Sequence, residues 1–244
     1  MASARAPRVS VVVPCYNRAA YLAVLLRSLT WSVVPPEEFE VVVVDDGSVD
    51  HVELVVAGWR RRGLDVRLCR IREHGAPRNN ARARNVGTHE ARYPLIVQTD
   101  PDIVFASDVL RVVGDTVAPG LFASPAHYYP LTREATLAVA LGASGPSPEA
   151  DAYLAHARGR PDQTRSPDGV GGLHGAFACR RDDLLAAGGY DESFEHWGWE
   201  DRELLVTLAD AGVRPAGCPA YIIPCRSRSQ GGVRSATRPT EPAR

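Results

Sequence analysis

Two carboxylates one residue apart follow an apolar run and form the first group able to do chemistry. The run is PLIVQT, residues 94–99, and Asp100-Pro101-Asp102 comes directly after it. The two negative charges repel each other, and partial loss of water at a strand end strengthens the repulsion. A cation or ordered hydrogen-bond donors must therefore compensate the charge. Mg²⁺ or Mn²⁺ suits carboxylate oxygens and readily bridges to phosphates. The alternative is a solvated turn, because Asp-Pro-Asp is also favourable turn chemistry.

A second group combines an aromatic ring with carboxylates after two earlier apolar runs. Pro14-Cys15-Tyr16-Asn17 follows the first run, and Asp45-Asp46-Gly47-Ser48 follows the second. An aromatic ring can stack on a nucleobase, and a carboxylate can accept an N–H of a uracil. The alternatives are a helix N-terminus and a strand-to-helix turn with capping Asp and Ser side chains.

A third group is Trp197-Gly198-Trp199-Glu200-Asp201, at the start of a helical pattern. Acidic residues are favoured at a helix N-terminus by the helix dipole, which is the simplest explanation. Two tryptophans around a glycine, followed by two carboxylates, would also form a sugar-stacking wall with a general base.

The elements that must position these groups alternate between strands and helices. Short β-branched runs predict strands at 8–14, 39–44, 65–71 and 94–99, and helical spacing predicts helices between them, including 52–59 and 79–91. This order predicts an α/β fold with a mostly parallel central sheet and helices on both faces. In such sheets the ligand crevice lies beyond the carboxyl ends of the strands, so the polar groups there should converge.

The second half of the chain is less regular. We expect helices at 107–117, 181–187 and 201–211, and strands at 175–179 and 220–224. Residues 142–172, rich in Gly, Pro and Ser, predict a mobile loop, and long connections of this kind often act as active-site lids. We expect one domain with two halves, 1–105 and 106–226, followed by a disordered tail at 227–244.

Composition narrows the function classes. The 244 residues carry a net charge of −1, which favours neither a nucleic-acid nor an anionic-membrane partner. The sequence has no lysine, which excludes mechanisms that need one. Five cysteines without a CxxC pair predict neither a disulfide framework nor a zinc knuckle and fit the cytoplasm. No apolar run is long enough for an integral membrane segment, although peripheral contact with the inner face stays open.

Taken together and in order, these motifs resemble a family 2 glycosyltransferase of the GT-A fold. They are 9–17 (VSVVVPCYN), 43–48 (VVDDGS), 83–87 (ARNVG), the Asp100 and Asp102 pair, and 197–201 (WGWED). Residues 172–212 resemble a galactosyltransferase-type carboxyl-terminal segment. The resemblance implies transfer of a sugar from a nucleotide donor, expected to be a UDP-sugar, to a saccharide or small-metabolite hydroxyl, with inversion and with Mn²⁺ or Mg²⁺.

The resemblance also implies roles for individual residues. Tyr16 would stack on the base beside Pro14 and Asn17, and Asp46, supported by Asp45, would accept the base N–H. Arg84, and less strongly Arg78, would face the nucleotide. Asp100 would hold the ribose or donor sugar and share the metal with Asp102. Asp201 would be the general base and Glu200 would hold the acceptor hydroxyl, with the acceptor pocket lined by Trp197, Trp199 and His196.

One departure from the family pattern concerns the metal. Related enzymes often have a histidine shortly after the last strand, whereas this chain has Cys225, a poor ligand for a hard cation. The metal could therefore rest on Asp102 and the diphosphate, bind weakly, or be partly replaced by Arg226 or Arg228. His74 and His174 do not occupy the expected place.

Other functions are weighed against the same residues. A dinucleotide-dependent dehydrogenase lacks its Gly-x-Gly-x-x-Gly here, and a P-loop nucleotidase or a sugar nucleotidyltransferase lacks its lysine. A catalytically degenerate sugar-nucleotide-binding or partner protein and a retaining transferase of the same fold remain open. So do the donor sugar, the acceptor and the oligomeric state.

Overall fold

The computed structural model describes residues 8–71, 78–128, 175–194 and 199–224. Their strands form one eight-stranded sheet in the order β3-β2-β1-β4-β7-β6-β8-β5. The strands are β1 (Val9–Cys15), β2 (Phe39–Asp45), β3 (Val66–Arg70), β4 (Leu95–Thr99), β5 (Ile103–Phe105), β6 (Leu121–Tyr128), β7 (Ala176–Arg180) and β8 (Arg214–Pro224). The helices are α1 (Ala19–Leu29), α2 (Val52–Arg60), α3 (Asn80–Glu90), α4 (Val109–Thr116), α5 (Arg181–Ala186) and α6 (Glu200–Asp210), with a 3₁₀ turn at Pro36–Glu38.

The first four strands form the parallel sheet that the alternating pattern predicts. β1 lies between β2 and β4, and β2 pairs with β3, all in parallel. The rest of the sheet is mixed, because β7 runs antiparallel to β4 and β6, β8 runs parallel to β6, and β5 runs antiparallel to β8. The sheet is thus parallel in most of its pairings, and each antiparallel pairing involves at least one strand of the second half.

Alternating valines bury both faces of the central strands. Val11 and Val13 of β1 pack into the cluster that holds α1, α2 and α4. Val12, between them in sequence, packs on the opposite face with Ala83 of α3. Because successive side chains of a strand point to opposite faces, a continuous β-branched run is what a strand covered on both sides requires.

Helix α3 lies unusually close to β1 because of one glycine. A Cβ atom at Gly87 would lie 2.2 Å from Cγ1 of Val12, a distance that real side chains do not tolerate, and 3.1 Å from Cγ2 of Val44, which is also tight. Gly87 ends the 83–87 motif, and the contact explains why a residue without a side chain is needed there.

Several strands begin or lie where the sequence pattern does not indicate them. β5 has only three residues, and β6 contains Pro125 next to a register shift in its pairing with β8. β8 starts at Arg214, earlier than the expected start at 220, because pairing with β6 extends it through a stretch with proline and glycine.

The expected loop at 142–172 and tail at 227–244 lie outside the described residues. No helix among the described residues has the length and apolar character of a membrane span.

Candidate active site

The loops after β1 and β2 form one tied unit at the carboxyl edge of the parallel strands. The backbone N–H of Asn17 donates to Oγ of Ser48 at 2.9 Å, and Oδ1 of Asn17 accepts from the N–H of Val49 at 2.8 Å. The N–H of Ala19 at the start of α1 donates to Asp50 at 2.8 Å. Asn17 has a φ of 53°, in the left-handed region that asparagine tolerates better than most residues. This geometry fixes the backbone beside Tyr16, which is partly exposed.

The two aspartates that end β2 are both buried, with different partners. Asp45 is fully buried and accepts from the N–H of Ser48 and from Nε of Arg70, each at 2.8 Å. Asp46 accepts from the backbone N–H of Asn79, the residue that caps α3. Asp45 therefore shapes the loop, and Asp46 links that loop to the start of α3.

Asp100, after β4, is paired with a buried arginine of α3. Nη2 of Arg84 donates to Oδ1 of Asp100 at 2.7 Å, and the Arg84 side chain is only 3% exposed against 30% for Asp100. Burial raises the pKa of Asp100, and the charges of Arg84 and Arg78 oppose that shift. Arg84 is thus a buried counter-ion of Asp100, while Arg78 is the exposed cation near the same carboxylate.

The negative charge of an ionised Asp102 has little compensation from nearby positive groups. Burial and the neighbouring charge of Asp100 raise the pKa of Asp102 to about 6, and Arg18 opposes the shift. A carboxylate with a raised pKa at a strand end gains from a bound cation, which would restore the charged form.

The start of α6 brings Glu200 and Asp201 to the same edge. Glu200 is buried and accepts from Nδ2 of Asn80 at 3.4 Å. Burial raises the pKa of Asp201 to about 6, with Glu200 and Asp100 adding to the shift and Arg84 opposing it. The charge of Asp100 therefore acts on both Asp102 and Asp201, so carboxylates from the end of β4 and from the start of α6 share one electrostatic environment.

The structure adds residues that the motif analysis passed over. Tyr190 is buried, its ring centroid lies 5.6 Å from the guanidinium carbon of Arg84, and the charges of Asp100, Glu200 and Asp201 raise the pKa of both groups. Nε of Arg84 and the hydroxyl of Tyr190 have no hydrogen-bond partner among the described residues. The sequence signal nearest to Tyr190 is Gly188-Gly189, a pair that indicates the end of a helix.

Of the remaining predicted site residues, the structure describes some and leaves others outside the described ranges. Pro14 is buried in β1, and Trp199 is partly exposed with the Arg202 guanidinium 5.7 Å from its ring centroid. Trp197 and His196 lie outside the described residues, as do Cys225, Arg226 and Arg228. Their predicted roles stay predictions.

The described carboxylates fit a divalent cation as a partial ligand set. Asp100 and Asp102 offer hard oxygen ligands, and Asp102 is the less committed because Oδ1 of Asp100 already accepts from Arg84. Among the residues described, no group of three His, Cys, Asp or Glu side chains could hold a metal ion together. A cation there needs further ligands from a bound diphosphate or from water.

Two family models match the chain. Residues 10–118 match "Glycosyl transferase family 2", and residues 163–226 match "N-terminal domain of galactosyltransferase". The two matches follow one another in the order that the motifs indicate. They confirm the resemblance to family 2 glycosyltransferases.

Curated relatives match over most of this chain but only part of their own length. Validoxylamine A glucosyltransferase of Streptomyces hygroscopicus subsp. limoneus is 29% identical over 87% of this chain and 50% of its own. Chondroitin synthase of Escherichia coli is 27% identical over 83% of this chain and 32% of its own. The chain thus spans half or less of the length of these two relatives.

Solved structures share the fold. A mannosyltransferase of Pyrobaculum calidifontis in complex with GDP-Man and Mn²⁺ has a TM-score of 0.64 at 22% identity, covering 92% of this chain and 58% of its own. S. aureus TarS 1-349 in complex with UDP-GlcNAc has a TM-score of 0.62 at 20% identity, and the match covers 91% of this chain and 60% of that 1-349 chain. These glycosyltransferases confirm the predicted α/β architecture of the GT-A type.

Proposed function

We propose that this chain acts as a family 2 glycosyltransferase and moves a sugar from a UDP-sugar to an acceptor hydroxyl with inversion at the anomeric carbon. One observation carries the proposal. Carboxylates from two distant parts of the chain, Asp100 and Asp201, act on the same buried Arg84 at the carboxyl edge of the parallel strands. A donor and an acceptor must meet at such a place for the transfer to occur.

The tied loops after β1 and β2 would bind the nucleoside. Tyr16 would stack on the base beside Pro14, and Asp46 would accept the base N–H with Asp45 supporting its loop. Asn17 would act through its backbone tie to Ser48, which holds Tyr16 in place. Rigid loops lower the entropy cost of binding.

Arg84 and Arg78 would have different roles on the donor side. Arg84 would keep Asp100 oriented toward the ribose or the donor sugar, because the two are already joined by a buried hydrogen bond. Arg78, exposed and close enough to act on Asp100, would face the diphosphate. A guanidinium there would stabilise negative charge as it develops on the leaving group.

Asp102, assisted by Asp100, would hold a divalent cation, Mn²⁺ or Mg²⁺. Such a cation, when bound, neutralises the charge that develops on the leaving diphosphate. The raised pKa of Asp102 supports this assignment, because the carboxylate lacks an adequate counter-charge of its own.

On the acceptor side, Asp201 would remove the proton from the acceptor hydroxyl. A carboxylate with a pKa of about 6 is ionised at neutral pH and is a better base than an ordinary aspartate. Glu200 would hold the hydroxyl, and Trp199, together with Trp197 and His196, would line the acceptor pocket. Attack from the side opposite the diphosphate gives the inverted product.

We place this activity in the cytoplasm, with peripheral contact to the inner membrane face left to experiment. The five cysteines without a CxxC pair support a reducing compartment. The acceptor would be a hydroxylated saccharide or a small metabolite, which suit the aromatic lining that Trp197 and Trp199 would provide.

The test is UDP release from a panel of UDP-sugars with Mn²⁺ or Mg²⁺, each with and without sugar acceptors. We expect release by the wild-type chain and a loss of about a thousandfold or more in Asp102→Ala and Asp201→Asn. GDP-mannose serves as the control donor and should be turned over more slowly.

Two results would redirect the assignment. A wild-type chain that binds UDP yet releases none from any donor supports a sugar-nucleotide-binding module instead of an enzyme. A product that keeps the anomeric configuration of the donor supports a retaining transferase.

A further inference from the structure

A side-chain amide of α3 clamps the backbone of the segment that leads to the acceptor-side carboxylates. Nδ2 of Asn85 donates to the carbonyl of Tyr190 at 2.8 Å, and Oδ1 of Asn85 accepts from the N–H of Tyr190 at 2.8 Å. One amide thus satisfies both backbone polar groups of one residue, which fixes position and orientation together.

Two further contacts hold the same segment against the same helix. Nδ2 of Asn85 also lies 3.0 Å from Oε1 of Glu192, and Nδ2 of Asn79 donates to the Glu192 carbonyl at 2.8 Å. Gly189 makes room for the clamp, because a Cβ atom there would lie 2.6 Å from Oδ1 of Asn85. The segment is therefore held at Tyr190 and Glu192, shortly before Glu200 and Asp201 in the chain.

The helix that carries the clamp also touches the donor side. Arg84, adjacent to Asn85, donates to Asp100, and its guanidinium packs on the ring of Tyr190. Asn80, one turn earlier, donates to Glu200. Among the described residues, α3 and its cap Asn79 thus contact three things: Asp100 on the donor side, Glu200 on the acceptor side, and the backbone at Tyr190 and Glu192.

We propose that Asn85 is a positioning residue that sets the distance between the donor-side pair Asp100 and Asp102 and the acceptor-side pair Glu200 and Asp201. The inference rests on the proposed glycosyl transfer. An attacking hydroxyl and an anomeric carbon react only from close, aligned positions, and a displacement of about 1 Å can lower the rate about a hundredfold. Asn85 touches neither substrate in this account and acts through the backbone of Tyr190.

A merely stabilising Asn85 would behave differently from a positioning one. Loss of stability alone lowers the folded fraction and leaves the turnover of each folded molecule unchanged. Loss of position lowers kcat more than it weakens UDP binding, because Asn85 itself contacts neither nucleoside loop. Those loops are tied to each other and reach the clamped segment, among the described residues, through Asn79 rather than through Asn85.

Two adjacent glycines provide a matched test. Gly188 and Gly189 both have left-handed backbones, with φ of 91° and 72°, so alanine costs similar strain at each. A Cβ atom at Gly188 meets nothing within 4 Å, whereas a Cβ atom at Gly189 collides with Asn85. Gly189→Ala therefore pushes on the clamp, and Gly188→Ala controls for strain.

The experiment measures kcat and KM for UDP release, with the UDP-sugar and acceptor that the wild-type chain uses fastest. Titration calorimetry with UDP and Mn²⁺ gives the dissociation constant and, from its stoichiometry, the folded fraction used to correct kcat. We expect Gly189→Ala and Asn85→Ala to lower corrected kcat about tenfold or more. Gly188→Ala and the exposed-site variant Arg82→Ala should stay within about twofold, as should UDP affinity in all four.

Asn85→Asp refines the result, because its carboxylate can still accept from the N–H of Tyr190 but cannot donate to the carbonyl. The new carboxylate oxygen also faces the Tyr190 carbonyl and the Glu192 carboxylate to which the amide donates, so we expect a corrected kcat at or below that of Asn85→Ala. Equal corrected kcat for the two glycine variants, or a loss confined to KM, would overturn the inference while leaving the proposed function intact. A wild-type chain that binds UDP and turns over no donor would overturn both.

Discussion

Glu40 and the carboxylates around Arg84 lie at opposite edges of the same parallel sheet, and nearby cations compensate their charges to different degrees. At the amino-terminal edge, Glu40 is fully buried and accepts from Ser10, from the backbone and guanidinium of Arg92, and from Arg67. At the carboxyl-terminal edge, the negative charges of Asp100, Glu200 and Asp201 all act on the buried guanidinium of Arg84. We call these the Glu40 cluster and the Arg84 cluster.

The pKa shifts record the difference. Burial alone would raise the pKa of Glu40, but the Arg92 N–H, the Ser10 hydroxyl and the two guanidinium groups lower it below its ordinary value. Burial raises the pKa of Asp102 and of Asp201 to about 6, since too few cations oppose it. A compensated carboxylate stabilises a fold, whereas an under-compensated group in a crevice is a candidate for binding or catalysis.

The largest expected difference between the two clusters is the effect of a substitution on catalysis. Asp201→Asn keeps the shape of the side chain but removes the base, so acceptor-dependent turnover should fall about a thousandfold or more. Nucleotide affinity, measured by calorimetry with UDP and Mn²⁺, should change by less than about threefold. Asp210→Asn, on an exposed position of the same helix, is the control, and a similar loss there would contradict the assignment.

The next effect concerns stability at the opposite edge. Glu40→Gln leaves two guanidinium groups without their buried partner and should lower the free energy of unfolding by about 2–3 kcal/mol in urea titrations. Glu90→Gln removes an exposed carboxylate 3.6 Å from the same Arg67 and should cost about 0.5 kcal/mol or less. Donor affinity should be unchanged in both variants, and a specific loss in Glu40→Gln would place this edge in the site.

A smaller effect is the pH dependence of turnover. With a pKa of about 6, Asp201 is ionised above that pH and protonated below it, so kcat at saturating Mn²⁺ should fall about tenfold per pH unit below about pH 6. The residual rate of Asp201→Asn should lack this dependence. A kcat that stays level down to pH 4.5 would show that Asp201 does not act as the base.

The smallest effect is a gain in stability when the base is removed. The folded pKa of Asp201 is raised, so folding is penalised above about pH 6 and the penalty disappears below the ordinary aspartate pKa of about 3.9. Asp201→Asn should therefore raise the free energy of unfolding by about 1–2 kcal/mol at pH 8 and not at pH 3.5. Equal gains at both pH values would mean that the effect is not electrostatic.

The sequence predicts the first half of the sheet well because local pattern and tertiary role agree there. Continuous β-branched runs between helices indicate buried parallel strands, and β1 to β4 follow within a residue or two. β6 and the early part of β8 escape prediction, because Pro125 and Gly217 weaken the local signal and mutual pairing supplies what propensity does not.

The candidate site is predictable where its chemistry lies at strand ends, as with Asp100 and Asp102. Arg84 is a different case: the motif predicts its importance, but not that it is a buried partner of Asp100. The Asn85 clamp is beyond sequence reasoning altogether, because it joins one side chain to the backbone of a residue 105 positions later. Such contacts leave only indirect marks, such as the glycine at 189.

The most direct test of the common site is to locate the cation and the nucleotide in crystals grown with UDP and MnCl₂. The anomalous signal of manganese should lie in coordinating contact with Asp102, with the β-phosphate on the side that faces Asp201. Manganese and UDP bound elsewhere, with Asp102 free and Asp201 directed away from the phosphate, would contradict the account.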